Sequence, residues 1–229
     1  MKRIGFLGGM SWESSAEYYR LANELVRKQL GGLHSADCVM VSVDFAEIEA
    51  MQSAGDWDAA ASRLVDAARS LEAAGVDFLV LCTNTMHKVA GAIESAVSIP
   101  LLHLADATAE AVTAAGVRTV GLLGTAFTME QEFYRDRLAS HGLEVLVPEV
   151  DDRTIIHRVI YDELCLGVVR DESREEYRRI MAGLVERGAE GIVLGCTEIE
   201  LLVGPEDASV PTFPTTRLHV EAAVRNALA

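Results

Sequence analysis

No stretch of this 229-residue chain approaches the roughly 18–20 consecutive apolar residues that cross a bilayer, so no membrane association is expected. Positive charge is equally scarce. Twenty Lys and Arg stand against 35 Asp and Glu, a formal net charge of −15, which argues against an extended nucleic-acid-binding surface. A small anionic ligand stays compatible with that charge, because backbone N–H groups act locally. Cysteine is sparse too, at positions 38, 82, 165 and 196. None forms a C-x-x-C pair, which leaves a zinc site or a thioredoxin-like redox centre without support. Free thiols are expected, with no metal. Gly8-Gly9-Met10-Ser11 has neither the spacing of a dinucleotide-binding turn nor the lysine of a P-loop, so a nucleotide cofactor is not expected. The apolar stretch after Lys2-Arg3 is too short for a signal peptide and runs at once into Trp12-Glu13; the expected location is the cytoplasm.

What is present is material for a core, since half the residues are hydrophobic. Apolar runs of strand length, Arg3 to Leu7, Val39 to Val43 and Phe78 to Leu81, alternate with amphipathic stretches such as Ser14 to Gln29 and Asp56 to Ala74. Uninterrupted apolar strands imply burial on both faces, as in a parallel sheet between helices. The alternation continues along the chain and predicts an α/β, doubly wound, flavodoxin-like architecture.

The chain also echoes itself. Ile4-Gly5-Phe6-Leu7-Gly8 is matched by Val120-Gly121-Leu122-Leu123-Gly124, and Tyr18 falls opposite Tyr134 at the same offset. Val80-Leu81-Cys82-Thr83 is matched by Leu194-Gly195-Cys196-Thr197 at nearly that offset. Order and spacing both hold, so two similar parallel-sheet domains are expected. Residues 1–99 with about 211–229 form the first, and residues 100–210 the second, the boundaries being drawn near Pro100 and Pro211.

Each Cys-Thr follows an apolar strand directly. Ligands of open α/β sheets bind beyond the carboxyl ends of the strands, so Cys82 and Cys196 stand where chemistry is expected. If the halves face each other, two thiols flank a small ligand in the cleft between them. Inverting a tetrahedral carbon requires one group to remove a proton from one face and another to deliver one to the opposite face. A cysteine of ordinary pKa, about 8.5, needs only modest depression to serve as the base, and neighbouring hydroxyls and helix starts are expected to supply it. Thr83, Asn84, Thr85, Thr125 and Thr197 offer donors for a carboxylate, as do the glycine turns Gly8-Gly9 and Gly124. Glu198 is placed to orient a substrate ammonium or a thiol proton, and His87, expected on the helix after Cys82, to tune a thiol or bind substrate. Met10 and Trp12 line either the pocket mouth or the core. Cys38 and Cys165 lack a threonine neighbour and read as structural.

At these residues the chain resembles the aspartate/glutamate racemase family. Gly8-Gly9-Met10-Ser11-Trp12-Glu13-Ser14 with Tyr18-Tyr19 resembles the N-terminal signature of its aspartate-racemase branch. Cys82-Thr83-Asn84-Thr85-Met86-His87 resembles the first catalytic segment and Gly195-Cys196-Thr197-Glu198-Ile199 the second. The resemblance implies two α/β domains with one catalytic cysteine each, a two-base proton transfer without pyridoxal phosphate or metal, an amino-acid substrate and a homodimer. It is closest to the broad-specificity branch. Where a lysine is expected to hold a second carboxylate this chain has Leu166, and the loop from Asp44 to Glu49 is acidic. Both departures favour neutral amino acids such as homoserine, with Arg170 and Lys88 as the cations nearest to hand. A dedicated aspartate or glutamate racemase is the alternative. A one-thiol decarboxylase or isomerase, a non-catalytic amino-acid-binding protein, and a plain α/β domain with structural cysteines stay open beside it.

Overall fold

A computed structural model describes residues 1–229. Chain contacts divide it into two units, Met1–Leu104 with His219–Ala229, and Ala105–Leu218. Both crossings lie slightly downstream of Pro100 and Pro211. Strand pairing gives the reason: Leu101 and Leu102 belong to the first sheet, and Thr212 to Pro214 to the second.

In the first unit β1 (Ile4–Gly8), α1 (Trp12–Leu30), β2 (Cys38–Ser42), α2 (Phe45–Ala54), α3 (Trp57–Ala73), β3 (Phe78–Leu81), α4 (Ala90–Ala96) and β4 (Leu101–Leu102) follow one another. All strand pairs are parallel, in the order β2-β1-β3-β4. Side chains alternate across this sheet. Ile4, Phe6, Phe78 and Val80 pack with Tyr18, Leu21 and Val26 of α1 and with Val220 and Val224. Leu7, Leu79 and Leu81 pack on the other face with Leu64 and Leu71 of α3 and Ile93 of α4. Helix starts are set by local chemistry: Ser11 accepts the N–H of Ser14, Asp44 that of Ala46, and Asp56 that of Ala59.

Helix α5 (Leu104–Ala114) begins at the first crossing. The second unit then runs β5 (Thr119–Gly124), α6 (Ala126–Glu130), α7 (Glu132–Ser140), β6 (Glu144–Leu146), α8 (Val150–Asp162), α9 (Asp171–Glu186), β7 (Gly191–Gly195), α10 (Ile199–Leu202) and β8 (Thr212–Pro214). Its parallel order, β6-β5-β7-β8, repeats the first sheet position for position. Helix α11 (Thr215–Leu228) carries the return crossing. Tyr18 and Tyr134, paired in the sequence echo, are both fully buried, in α1 and α7. The two similar α/β domains expected from the repeat are therefore present. No helix is long and apolar enough to cross a membrane.

Candidate active site

Cys82 is the first residue beyond β3, its N–H donating to the Leu7 carbonyl at 2.9 Å. It continues the alternation of Phe78 and Val80 and lies fully buried on the α1 face. Ser14 of α1 donates its hydroxyl to the Cys82 carbonyl at 3.5 Å. Thr83, Asn84 and Thr85 follow, all buried, and lead into a 3-10 turn, Thr85–Val89. His87 sits in that turn rather than in a following α-helix. It is buried between the Thr83 carbonyl, 2.7 Å from Nδ1, and the Leu104 N–H, 3.2 Å from Nε2.

Cys196 is the first residue beyond β7 and is half-buried. Its thiol donates to Glu198 Oε2 at 2.9 Å, and Glu198 is itself buried. Thr197 shares a 2.7 Å hydroxyl contact with Thr216, and Thr215 donates to the Leu194 carbonyl at 2.8 Å. The Thr215-Thr216 pair escaped the sequence reading; its signal is two hydroxyls directly after a strand ending in Pro214.

The two cysteines are not register equivalents. Leu7 pairs with Leu81, whereas Leu123 pairs with Leu194, so Cys82 stands one position beyond its pair and Cys196 two. One residue changes the face in a pleated strand. Accordingly Cys82 packs with Tyr18 and Val220, while Cys196 packs against the cluster of Ile156, Tyr177 and Ile180 from α8 and α9. The sequence echo aligned the cysteines; the sheets do not.

Electrostatics correct a second expectation. Neither thiol is made more acidic. Burial pushes Cys82 well above the ordinary cysteine value. Burial first, then the adjacent Glu198 charge, does the same at Cys196. Removing solvent from a thiolate outweighs the hydroxyls nearby. At neutral pH both therefore rest as thiols, that of Cys196 hydrogen-bonded to the Glu198 carboxylate.

Other expected site residues divide clearly. Met10 is buried among Leu7, Val43 and Ile48, whereas Trp12 is 68% exposed and contributes no core packing. Thr125 is buried and caps α6 by accepting the Thr128 N–H. The Gly9 N–H is already donated to Ser15 Oγ at 2.7 Å, so it is not available to cradle a carboxylate. Gly9 has φ 94°, and a Cβ there would stand 2.2 Å from the Val43 carbonyl oxygen, which is why glycine is required. Cys165 packs against the same apolar cluster as Cys196, and Cys38 against the core beneath α1.

The Asp/Glu/Hydantoin racemase family description matches residues 7–223. The chain belongs to this family. A crystal structure from Yersinia pestis, provisionally an Asp/Glu racemase, is 54% identical with a TM-score of 0.95, both chains being covered in full. An aspartate racemase homologue from Pyrococcus horikoshii OT3 is 33% identical with a TM-score of 0.88, again with both chains covered in full. The broad specificity amino-acid racemase RacX of Bacillus subtilis (strain 168) is 22% identical over 99% of this chain and 98% of its own. Family membership thus spans both units and both cysteine turns.

Proposed function

We propose that the protein is an amino-acid racemase needing no cofactor, with Cys82 and Cys196 as the acid and base at the α-carbon. One observation carries the reading: each thiol stands immediately beyond the carboxyl end of the corresponding inner strand, β3 or β7, of two sheets with the same strand order. Family membership and the names of the relatives point the same way.

In this reading the resting thiols are neutral and Glu198 makes the thiolate. The Cys196 proton passes 2.9 Å to the Glu198 carboxylate. A thiolate then removes the α-proton from one face, and the other thiol delivers its proton to the opposite face. This reading assigns the hydroxyls and backbone N–H groups of Thr83, Asn84, Thr85, Thr125 and Thr197 to the substrate carboxylate, where charge develops. Reversal exchanges the two roles.

Glu198→Gln keeps a hydrogen-bonding side chain but removes the proton acceptor. Turnover at pH 7 is expected to fall roughly tenfold, and to recover as the pH rises and solvent ionises the thiol instead. A pH–rate profile checks this. Turnover at pH 7 equal to that of the wild type contradicts the role given to Glu198.

The substrate we propose is a neutral amino acid such as homoserine. Leu166 is exposed and offers no charge for a second carboxylate. Lys88 lies 4.0 Å over the Trp57 ring, and Arg170 is 3.9 Å from Glu163. The acidic segment expected as a loop is the start of α2: Asp44 caps that helix and Glu47, within it, pairs with Arg63 at 3.6 Å. A second substrate carboxylate therefore competes for cations already engaged. The test is α-proton exchange in D₂O with single L-amino acids, read by NMR. The expected kcat/KM for homoserine exceeds that for aspartate by about tenfold or more. The reverse ranking identifies a dedicated acidic-amino-acid racemase, and no exchange with any amino acid defeats the racemase reading.

A further inference from the structure

The first unit buries three histidines together, and the proposed chemistry uses none of them. The His87 and His103 rings lie 4.5 Å apart and those of His87 and His219 5.9 Å, with all three side chains buried. Their positions in the chain give the cluster its meaning. The chain leaves this unit after Leu104 and re-enters it at His219.

Two of the rings bridge those places to the rest of the unit. His87 spans the Thr83 carbonyl and the Leu104 N–H. A carbonyl only accepts and a backbone N–H only donates, so Nδ1 carries the proton and Nε2 is bare. His219 Nε2 lies 2.8 Å from the Leu102 carbonyl, and its Nδ1 lies 2.9 Å from the Tyr18 hydroxyl. By the same reasoning Nε2–H donates to Leu102 and Nδ1 accepts from Tyr18. Each ring is thus a neutral donor–acceptor bridge of fixed orientation.

These bridges take over where strand pairing stops. The β3–β4 ladder ends with Val80 opposite Leu102, two residues short of Cys82. Cys82 is held by β1 through the Leu7 carbonyl. Toward β4, beyond the ladder, His87 reaches from the Thr83 carbonyl across to the Leu104 N–H.

We propose that His87 and His219 form a latch joining the Cys82 turn to both chain crossings, with His87 as a positioning residue for Cys82. The catalytic meaning of that positioning rests on the racemase reading; the latch itself does not. A histidine that merely fills the core predicts local effects only, whereas a latch predicts effects at a distance.

The experiment uses the full-length protein at neutral pH. Iodoacetamide labelling of Cys82 and Cys196 is timed by peptide mass spectrometry, beside amide hydrogen exchange, in wild type, His87→Ala, His87→Gln and Tyr18→Phe. In His87→Ala the Cys82 labelling rate should rise about tenfold relative to Cys196, and exchange should quicken at residues 102–104 as well as 83–89. His87→Gln, which can both donate and accept, should restore part of the protection. Tyr18→Phe removes one hydroxyl and should raise Cys82 labelling by a smaller factor. If His87→Ala fails to fold, Tyr18→Phe decides the matter by the same ratio. An unchanged Cys82-to-Cys196 ratio, or faster exchange confined to residues adjoining the substitution, overturns the latch. These readouts do not require turnover, so a wild-type protein that exchanges no α-proton would defeat the racemase reading and leave this test intact.

Discussion

Cys82→Ser and Cys196→Ser are each expected to lower racemisation at least about 10³-fold, the scale on which a positioned acid or base contributes. A serine hydroxyl is far too weak an acid to stand in for the thiol. In a two-base mechanism each direction needs both groups, so neither single variant should racemise appreciably. Half-reactions can survive: a variant retaining its base exchanges the α-proton of one enantiomer without inverting it, slowly, over the many turnovers in which the abstracted proton escapes to solvent before it is returned. Chiral chromatography beside deuterium incorporation separates these outcomes. Cys82 is fully buried in an apolar cluster, so serine also brings a polar group there at about 1–3 kcal/mol. Cys82→Ala, which buries no new polar atom, controls for that cost. If one cysteine proves dispensable while turnover continues, a one-thiol decarboxylase or isomerase becomes the better account.

His219 gives the second large expected effect, on stability. Burial is the main cause that lowers its pKa from 6.5 to about 4; the Leu102 carbonyl opposes the shift and His103 adds to it. Between pH 6.5 and pH 4 the unfolded chain takes up a proton at this ring and the native protein does not. Stability contributed by the neutral ring is therefore complete above pH 6.5 and is lost as the pH falls toward 4, to a total of about 3 kcal/mol. Below pH 4 the native ring also protonates and this loss ends. Urea denaturation at pH 7 and pH 4.5 checks it, with His219→Asn as the reference that lacks the titrating group. The wild type should lose more stability across that interval than the variant, by roughly 2–3 kcal/mol. Equal losses contradict the assignment.

Much of the fold was legible because its causes are local. Continuous apolar runs such as Phe78 to Leu81 announce strands covered on both faces, and amphipathic stretches such as Asp56 to Ala74 announce helices, whereas Asp44 to Glu49, expected as a loop, is the capped start of α2. The repeat was legible for a similar reason, since Tyr18 and Tyr134, matched in sequence, are both fully buried helix residues. Register was not. A one-residue difference between the Leu7–Leu81 and Leu123–Leu194 pairs places the two cysteines on different faces, and a matched tetrapeptide cannot reveal that. Thiol acidity was misjudged because sequence shows neighbouring hydroxyls but not the depth of burial. Glycine at position 9 pointed to anion binding, whereas its N–H serves Ser15 and its missing side chain makes room for the Val43 carbonyl. His87 and His219 are far apart in the chain, and only the folded unit brings them beside Leu102 and Leu104.

The two-base mechanism proposed for Cys82 and Cys196 has two different thiols serve the two faces of one carbon. It is tested most directly by racemising an L-amino acid in D₂O and locating the deuterium at low conversion. Deuterium is expected at the α-carbon of the D product and protium in the remaining L substrate, because the delivering thiol carries solvent deuterium while the abstracting one mostly returns what it took. Deuterium in both enantiomers from the start, or a D product that retains the original proton, would mean that a single group serves both faces and would contradict the two-thiol mechanism.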